Sequence, residues 1–310
     1  MNLDSSAIGT RATPLSNRTG LWCGLLGVAA FSFTVPFTRV AVGADGTGLS
    51  PLFIAGGRAV IAAMLAALAL AVTRQRLPRG AQWSRLAVIA AGIVVGFPLL
   101  TSYALTTVPA SHGAVVIALL PAATAALAVL RTGEHPPRSF WMLAGLGAVA
   151  AVVFAAVQGG GLGSLGGGDL LLFGAVLAAA VGYAEGGLLA RELGAWQTVS
   201  WALVLCAPVM LALTVVSINR QPPTGSATQW AAFGYLAVVS MYLGFFAWYR
   251  GLAIGPMAQV SQVQLIQPVL SICWAALLLG EPLTVATVIG GAAVVGCAAL
   301  SVRVRSTGHL

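Results

Sequence analysis

Leu120–Glu134 reads LPAATAALAVLRTGE, and Gln267–Glu281, 147 residues further on, reads QPVLSICWAALLLGE. Each stretch is an apolar run with proline in second place and a Gly-Glu pair at its end. The same offset, without gaps, lays Gly27 on Gly174, Gln82-Trp83 on Gln229-Trp230, Leu105 on Leu252 and Pro109 on Pro256. A single match means little in a chain with 38 glycines. A set of landmarks sharing one spacing marks a duplicated unit.

Around the two stretches lie further apolar runs. A helix needs about 20 apolar residues to cross the hydrocarbon core of a bilayer. Ten runs approach that length, at 21–42, 51–72, 84–103, 111–130, 140–157, 170–190, 198–216, 230–249, 257–279 and 284–302. The composition agrees, at 59% hydrophobic and 7% charged against roughly 25% charged for a soluble domain. So apolar a chain has lipid as its solvent. The first run is too long for a cleaved signal sequence, and it has a counterpart in the second copy.

Five runs per copy is an odd number, so the second copy enters the membrane upside down. The expected fold is therefore all-α, with ten transmembrane helices in two inverted five-helix repeats around a central cavity. The segments are a tail (1–20), a first module (21–157), a Gly-rich extracytoplasmic linker (158–169), a second module (170–302) and a second tail (303–310).

The net charge of +8 comes from 15 basic residues, all of them arginine. With both termini inside, only Arg39, Arg58 and Arg220 fall outside or in the outer half, and the other twelve fall inside. That is the positive-inside bias of an inner (cell) membrane protein, not a nucleic-acid-binding stripe. The four cysteines (Cys23, Cys206, Cys273 and Cys297) sit within apolar runs and read as small core residues.

The two quoted stretches, each followed by a glycine-rich run (Gly290-Gly291 in the second copy), resemble the paired modules of the EamA-type drug/metabolite transporters. The resemblance spans about Leu21 to Val302. The first copy departs from it, with Gly133-Glu134-His135-Pro136 in place of an unbroken Gly-Glu-Pro. Within that superfamily the chain is most similar to the YddG-like aromatic amino acid exporters. The resemblance implies export of aromatic amino acids and of flat cationic toxicants, with the fifth and tenth spans at the periphery.

The residues themselves offer candidates for a midplane site. Gln264, Gln267 and Ser271 share one face of the polar ninth run and can hydrogen-bond a solute without a buried charge; interhelical bonding is the alternative. Tyr242, Tyr183 and Phe33 are stacking candidates, each as readily a core residue. Trp248 and Tyr249 read as interfacial belt. Tyr103 and His112 flank the outer end of the third and fourth runs, as an external mouth or as a solvated loop edge. Pro36, Pro98, Pro121 and Pro268 are kinks or hinges, and the last two form a pair across the repeat.

Three ionisable groups lie in apolar runs. Arg39 is close enough to an end to snorkel. Arg58 is a candidate for a carboxylate ligand, or for pairing with Asp45 or Asp169. Glu185 is a candidate for a coupling proton or a substrate amine, or for a structural pair with Arg131 or Arg250.

There is no Lys, hence no phosphate-loop lysine, and no nucleophile or metal constellation. The chain is expected to be no enzyme, to hold no cofactor or metal, and to draw its energy from the substrate gradient or a coupled ion. Its expected partners are that solute and the bilayer, with no nucleic acid and no evident protein partner, as for a monomer. A passive pore and a non-transporting scaffold are the competing classes.

Overall fold

The computed structural model describes residues 14–43, 48–132, 137–158, 166–254 and 263–307. Helices carry the described chain, and no strand occurs among those residues. Among the described residues eight helices are long and apolar enough to cross a membrane: α1 (Thr19–Val42), α2 (Pro51–Val72), α3 (Gln82–Thr107), α4 (Ala110–Arg131), α5 (Arg138–Val157), α6 (Gly167–Leu193), α7 (Ala195–Arg220) and α8 (Ala227–Gly251). Two shorter apolar helices follow, α9 (Gln264–Leu279) and α10 (Val285–Leu300). Gln259, Gln262, Asp45, Pro256 and the turn at Gly133–Pro136 lie outside the described residues. Helix α6 takes in three residues that the sequence reading gave to the linker. Asp169 sits in its first turn, where its Oδ2 accepts the Gly166 N–H at 3.0 Å.

The helices of the first half pack on those of the second. Helix α2 lies along α7, α1 along α8, α3 along α6, α4 along α9 and α5 along α10. Exchanging the two halves returns the same list. Helices α5 and α10 meet the rest of the molecule through α4 and α9. Small residues permit the closest crossings, as lipid gives helices little other reason to associate. At Gly27 an added Cβ would stand 2.9 Å from the Trp248 backbone nitrogen; at Gly251 it would stand 2.7 Å from that of Gly24.

Departures from α-helix recur near the 147-residue offset. Helix α3 carries a π segment at Ala90–Gly96, and α8 carries one at Leu236–Leu243. Pro98 follows the first, but Phe245 holds the matching place after the second, so proline is not their common cause. Helix α4 breaks between Ile117 and Leu120, just before Pro121; α9 opens with a 3-10 turn at Gln264–Ile266, just before Pro268. A proline offers no N–H to the carbonyl four residues back and crowds it, so the helix opens one turn earlier.

Several expectations are corrected. Trp248 and Tyr249 are buried, because α8 lies against α1 and α6 and they point inward. Cys273 is exposed on the outer side of α9, whereas Cys206 is buried; all four cysteines are free. Arg39, near the end of α1, is tied to the end of α3. Its Nη1 donates to the Leu105 and Thr106 carbonyls at 2.7 and 2.9 Å, filling acceptors that the end of α3 leaves open.

Candidate functional site

The proline break in each of α4 and α9 opens onto the same small cavity. Val35 of α1, Ala114, Ile117, Leu120 and Pro121 of α4, and Gln264, Gln267, Pro268 and Ser271 of α9 line it. Only about 10 Å³ between them is open enough to seat a water. Three of the predicted polar residues and both paired prolines thus converge. The Gln267 Oε1 is buried with no hydrogen-bond partner, an acceptor facing a nearly closed space.

Ser271 is already engaged. Pro36 has no N–H for the Ser32 carbonyl, and Ser271 Oγ donates to that oxygen at 2.7 Å. Trp274 Nε1 donates to Ser32 Oγ at 2.9 Å. The kink in α1, between Ser32 and Thr34, is therefore held from α9. The Phe33 ring stacks on Trp274 at 4.6 Å between centroids; Tyr235 sits edge-on to both Phe33 and Phe37, and Phe37 lies tilted against Phe33. The sequence reading singled out Phe33 but missed Trp274; its α9 position, three residues after Ser271, was the available signal.

Other candidates lie elsewhere. Tyr242 is buried where α8 meets α7, its hydroxyl 3.3 Å from Ser200 Oγ and its ring edge-on to Phe246. Tyr183 packs edge-on to Phe245. Tyr103 is exposed on α3 and lies outside the cavity's lining. His112 is no loop-edge group. It is buried against Phe154, and its Nε2 donates to Asp169 Oδ1 at 2.7 Å. Asp169 is thereby unavailable to Arg58. That arginine is 2% exposed, its Nε buried and unpartnered.

Sixteen residues along α6 from Asp169, about 24 Å, stands Glu185. Its Oε1 accepts from Arg85 Nε and its Oε2 from Arg131 Nε at 2.8 Å; Arg85 also reaches Glu192. One carboxylate thus ties α3 and α4 to α6. Arg131 was foreseen as a partner, Arg250 is exposed and takes no part, and Arg85 was missed. A groove of about 270 Å³ runs beside the cluster, lined by Val88, Leu127, Val181 and Ala184 among others. Between the Asp169 end and the Glu185 end lies the cavity of the paired prolines.

This is a multi-pass helical membrane protein with a cavity between its two halves, the build of a carrier. Two segments, residues 18–156 and 166–303, each match the EamA-like transporter family. The chain belongs to that family, and it is a transporter, not an enzyme. It is 41% identical over 293 residues to the uncharacterized transporter YdeK of Bacillus subtilis (strain 168), covering 93% of this chain and 99% of that protein. A solved crystal structure of a protein shares the fold, with a TM-score of 0.61 and 19% identity over 95% of this chain and 100% of that one.

Proposed function

We propose that the chain is a secondary transporter that moves small organic solutes by alternating access, with aromatic amino acids and flat cations as its first candidate solutes. The observation that carries this reading is the nearly closed cavity between two proline-broken helices, one from each half. Helices interrupted at matched positions are where such carriers place their solutes. Gln264 and Gln267 are the proposed hydrogen-bonding contacts, and Pro121 and Pro268 the paired hinge. The cavity seats no amino acid in this conformation, so the carrier would have to open for loading. The arginine–glutamate cluster at one end and the His112–Asp169 pair at the other are the contacts that opening would loosen.

The architecture we propose is ten crossings in two inverted five-helix modules, 21–157 and 170–302, in a bacterial inner membrane with both termini cytoplasmic. Support for inversion comes from Glu281, just beyond α9. Its two oxygens accept the Ala110 and Ser111 N–H groups at 2.7 and 2.8 Å, at the start of α4. Helix α9 thus ends where its counterpart α4 begins.

Uptake of labelled phenylalanine and tryptophan into proteoliposomes tests the reading. Saturable flux, competed by a related solute and lowered about tenfold in Gln267→Ala at equal folded protein, supports it. Flux linear in concentration indicates a pore. No flux of any solute in a broad panel indicates a scaffold.

A further inference from the structure

The guanidinium of Arg58 is charged at every physiological pH, yet it is held inside a membrane span without a counter-ion among the described residues. The four acids among the described residues are all engaged elsewhere: Asp169 by His112, Glu185 by Arg85 and Arg131, Glu192 by Arg85, and Glu281 by the start of α4. Arg58 Nε is buried and bonds to nothing.

Its depth matches the cavity. Gly48 N–H donates to the Val42 carbonyl and Leu49 N–H to that of Ala41, so α1 ends level with the start of α2. Arg58 is seven residues in from Pro51, and Val35, which lines the cavity, is seven residues in from Val42. Each lies about 10 Å along its helix. Ile54, one turn earlier on the face of Arg58, belongs to the apolar core that contains Val35 and Leu105. Gly56 and Gly57 turn the neighbouring faces to Thr214 and Phe233 instead.

A second unmet group lies at this level. Ser102 Oγ is buried without a partner on α3, which packs against α2. It stands one turn before Leu105, whose carbonyl is taken by Arg39 from the end of α1.

We infer that Arg58, with Ser102 at a similar depth on the neighbouring α3, is the carboxylate anchor of the transported solute. A guanidinium fork matches the two oxygens of a carboxylate, and a hydroxyl adds a further donor. The Gln267 Oε1, an acceptor without a donor, then suits the ammonium of the same solute. The solute class is the α-amino carboxylates, with simple monocarboxylates as weaker ligands and flat cations that lack a carboxylate excluded. This inference rests on the carrier reading above.

The test uses the full-length protein in two formats. In proteoliposomes, phenylpropionate and phenethylamine compete with labelled phenylalanine; they keep the carboxylate and the amine respectively. Wild type should favour phenylpropionate at least tenfold, and Arg58→Gln should bring that ratio near one, with Arg58→Lys between. In detergent, millimolar phenylalanine and phenylpropionate should raise the melting temperature of wild type but not of Arg58→Gln. The ligand-free Arg58→Gln protein should melt higher than wild type, because it no longer holds an unpaired charge. A structural arginine would give the reverse.

An unchanged competition ratio in Arg58→Gln overturns the anchor. So does a wild type that prefers phenethylamine, or one that no carboxylate stabilises, and both readouts stand even if Arg58→Gln fails to fold. Carboxylate stabilisation that depends on Arg58, without flux of any solute, supports the anchor and removes the carrier reading. Saturable flux with no carboxylate preference does the opposite.

Discussion

Ser271 Oγ donates to the Ser32 carbonyl at 2.7 Å, an oxygen left open because Pro36, four residues on, has no N–H. Ser271→Ala strands a buried acceptor, at a cost of about 1–3 kcal/mol. Pro36→Ala returns an N–H to α1 and should remove most of that cost. A double-mutant cycle read by thermal unfolding in detergent checks this. Equal losses in both backgrounds would mean that proline does not create the dependence.

The cluster at Glu185 should obey an order set by burial. Glu185→Gln strips the counter-charge from two arginines at once, and breaking a buried pair from one side costs about 3–5 kcal/mol. Arg131 has 58% of its side chain exposed, so solvent screens its share, and Arg131→Gln should cost less than about 1 kcal/mol. Arg85→Gln, which frees both Glu185 and Glu192, should fall between them. Thermal unfolding of the three variants gives the order, and an Arg131 variant as unstable as the Glu185 one contradicts it.

Tyr242 separates packing from the cavity. Its ring sits between α7 and α8, so Tyr242→Ala should cost about 3–5 kcal/mol through the void it leaves. Flux per folded molecule should remain near that of wild type, while Tyr242→Phe gives up one hydrogen bond to Ser200 for about 1 kcal/mol. A Tyr242→Phe protein that folds normally but carries tenfold less solute would return this residue to the site.

Length and repetition carried most of the fold into the sequence. The apolar runs at 51–72 and 198–216 fall within the helices found there, and the landmarks at Pro121 and Pro268 mark breaks in the backbone. Partners distant in the chain were not legible. His112 looked like a loop edge because the groups that bury it, Asp169 at 57 residues' distance and Phe154, are remote in the chain. Trp248 and Tyr249 looked interfacial because their place near a span's end says nothing about which helix covers them. The π segments leave no residue signature, since Pro98 follows one and Phe245 the other. Gln264 and Gln267 were legible because amides are costly in lipid and stand out wherever they occur.

The proposed opposed orientation of the two halves predicts where tags will appear. Helix α4 starts where Glu281 holds the Ala110 and Ser111 N–H groups and ends where Arg131 holds Glu185. Helix α9 finishes at Leu279, two residues before Glu281 and so beside the start of α4, as the proposed inversion of the two counterparts requires. Epitopes inserted after Thr132 and after Glu281 should be reached from opposite faces of membrane vesicles, the first from the cytoplasmic side. Glu281→Gln leaves one acceptor oxygen for the two N–H groups and also loses the charge facing a helix start, for about 1–3 kcal/mol. It should leave both tags where they are. Epitopes on one face would mean that the copies run in parallel, and Glu281 could then not reach the start of α4.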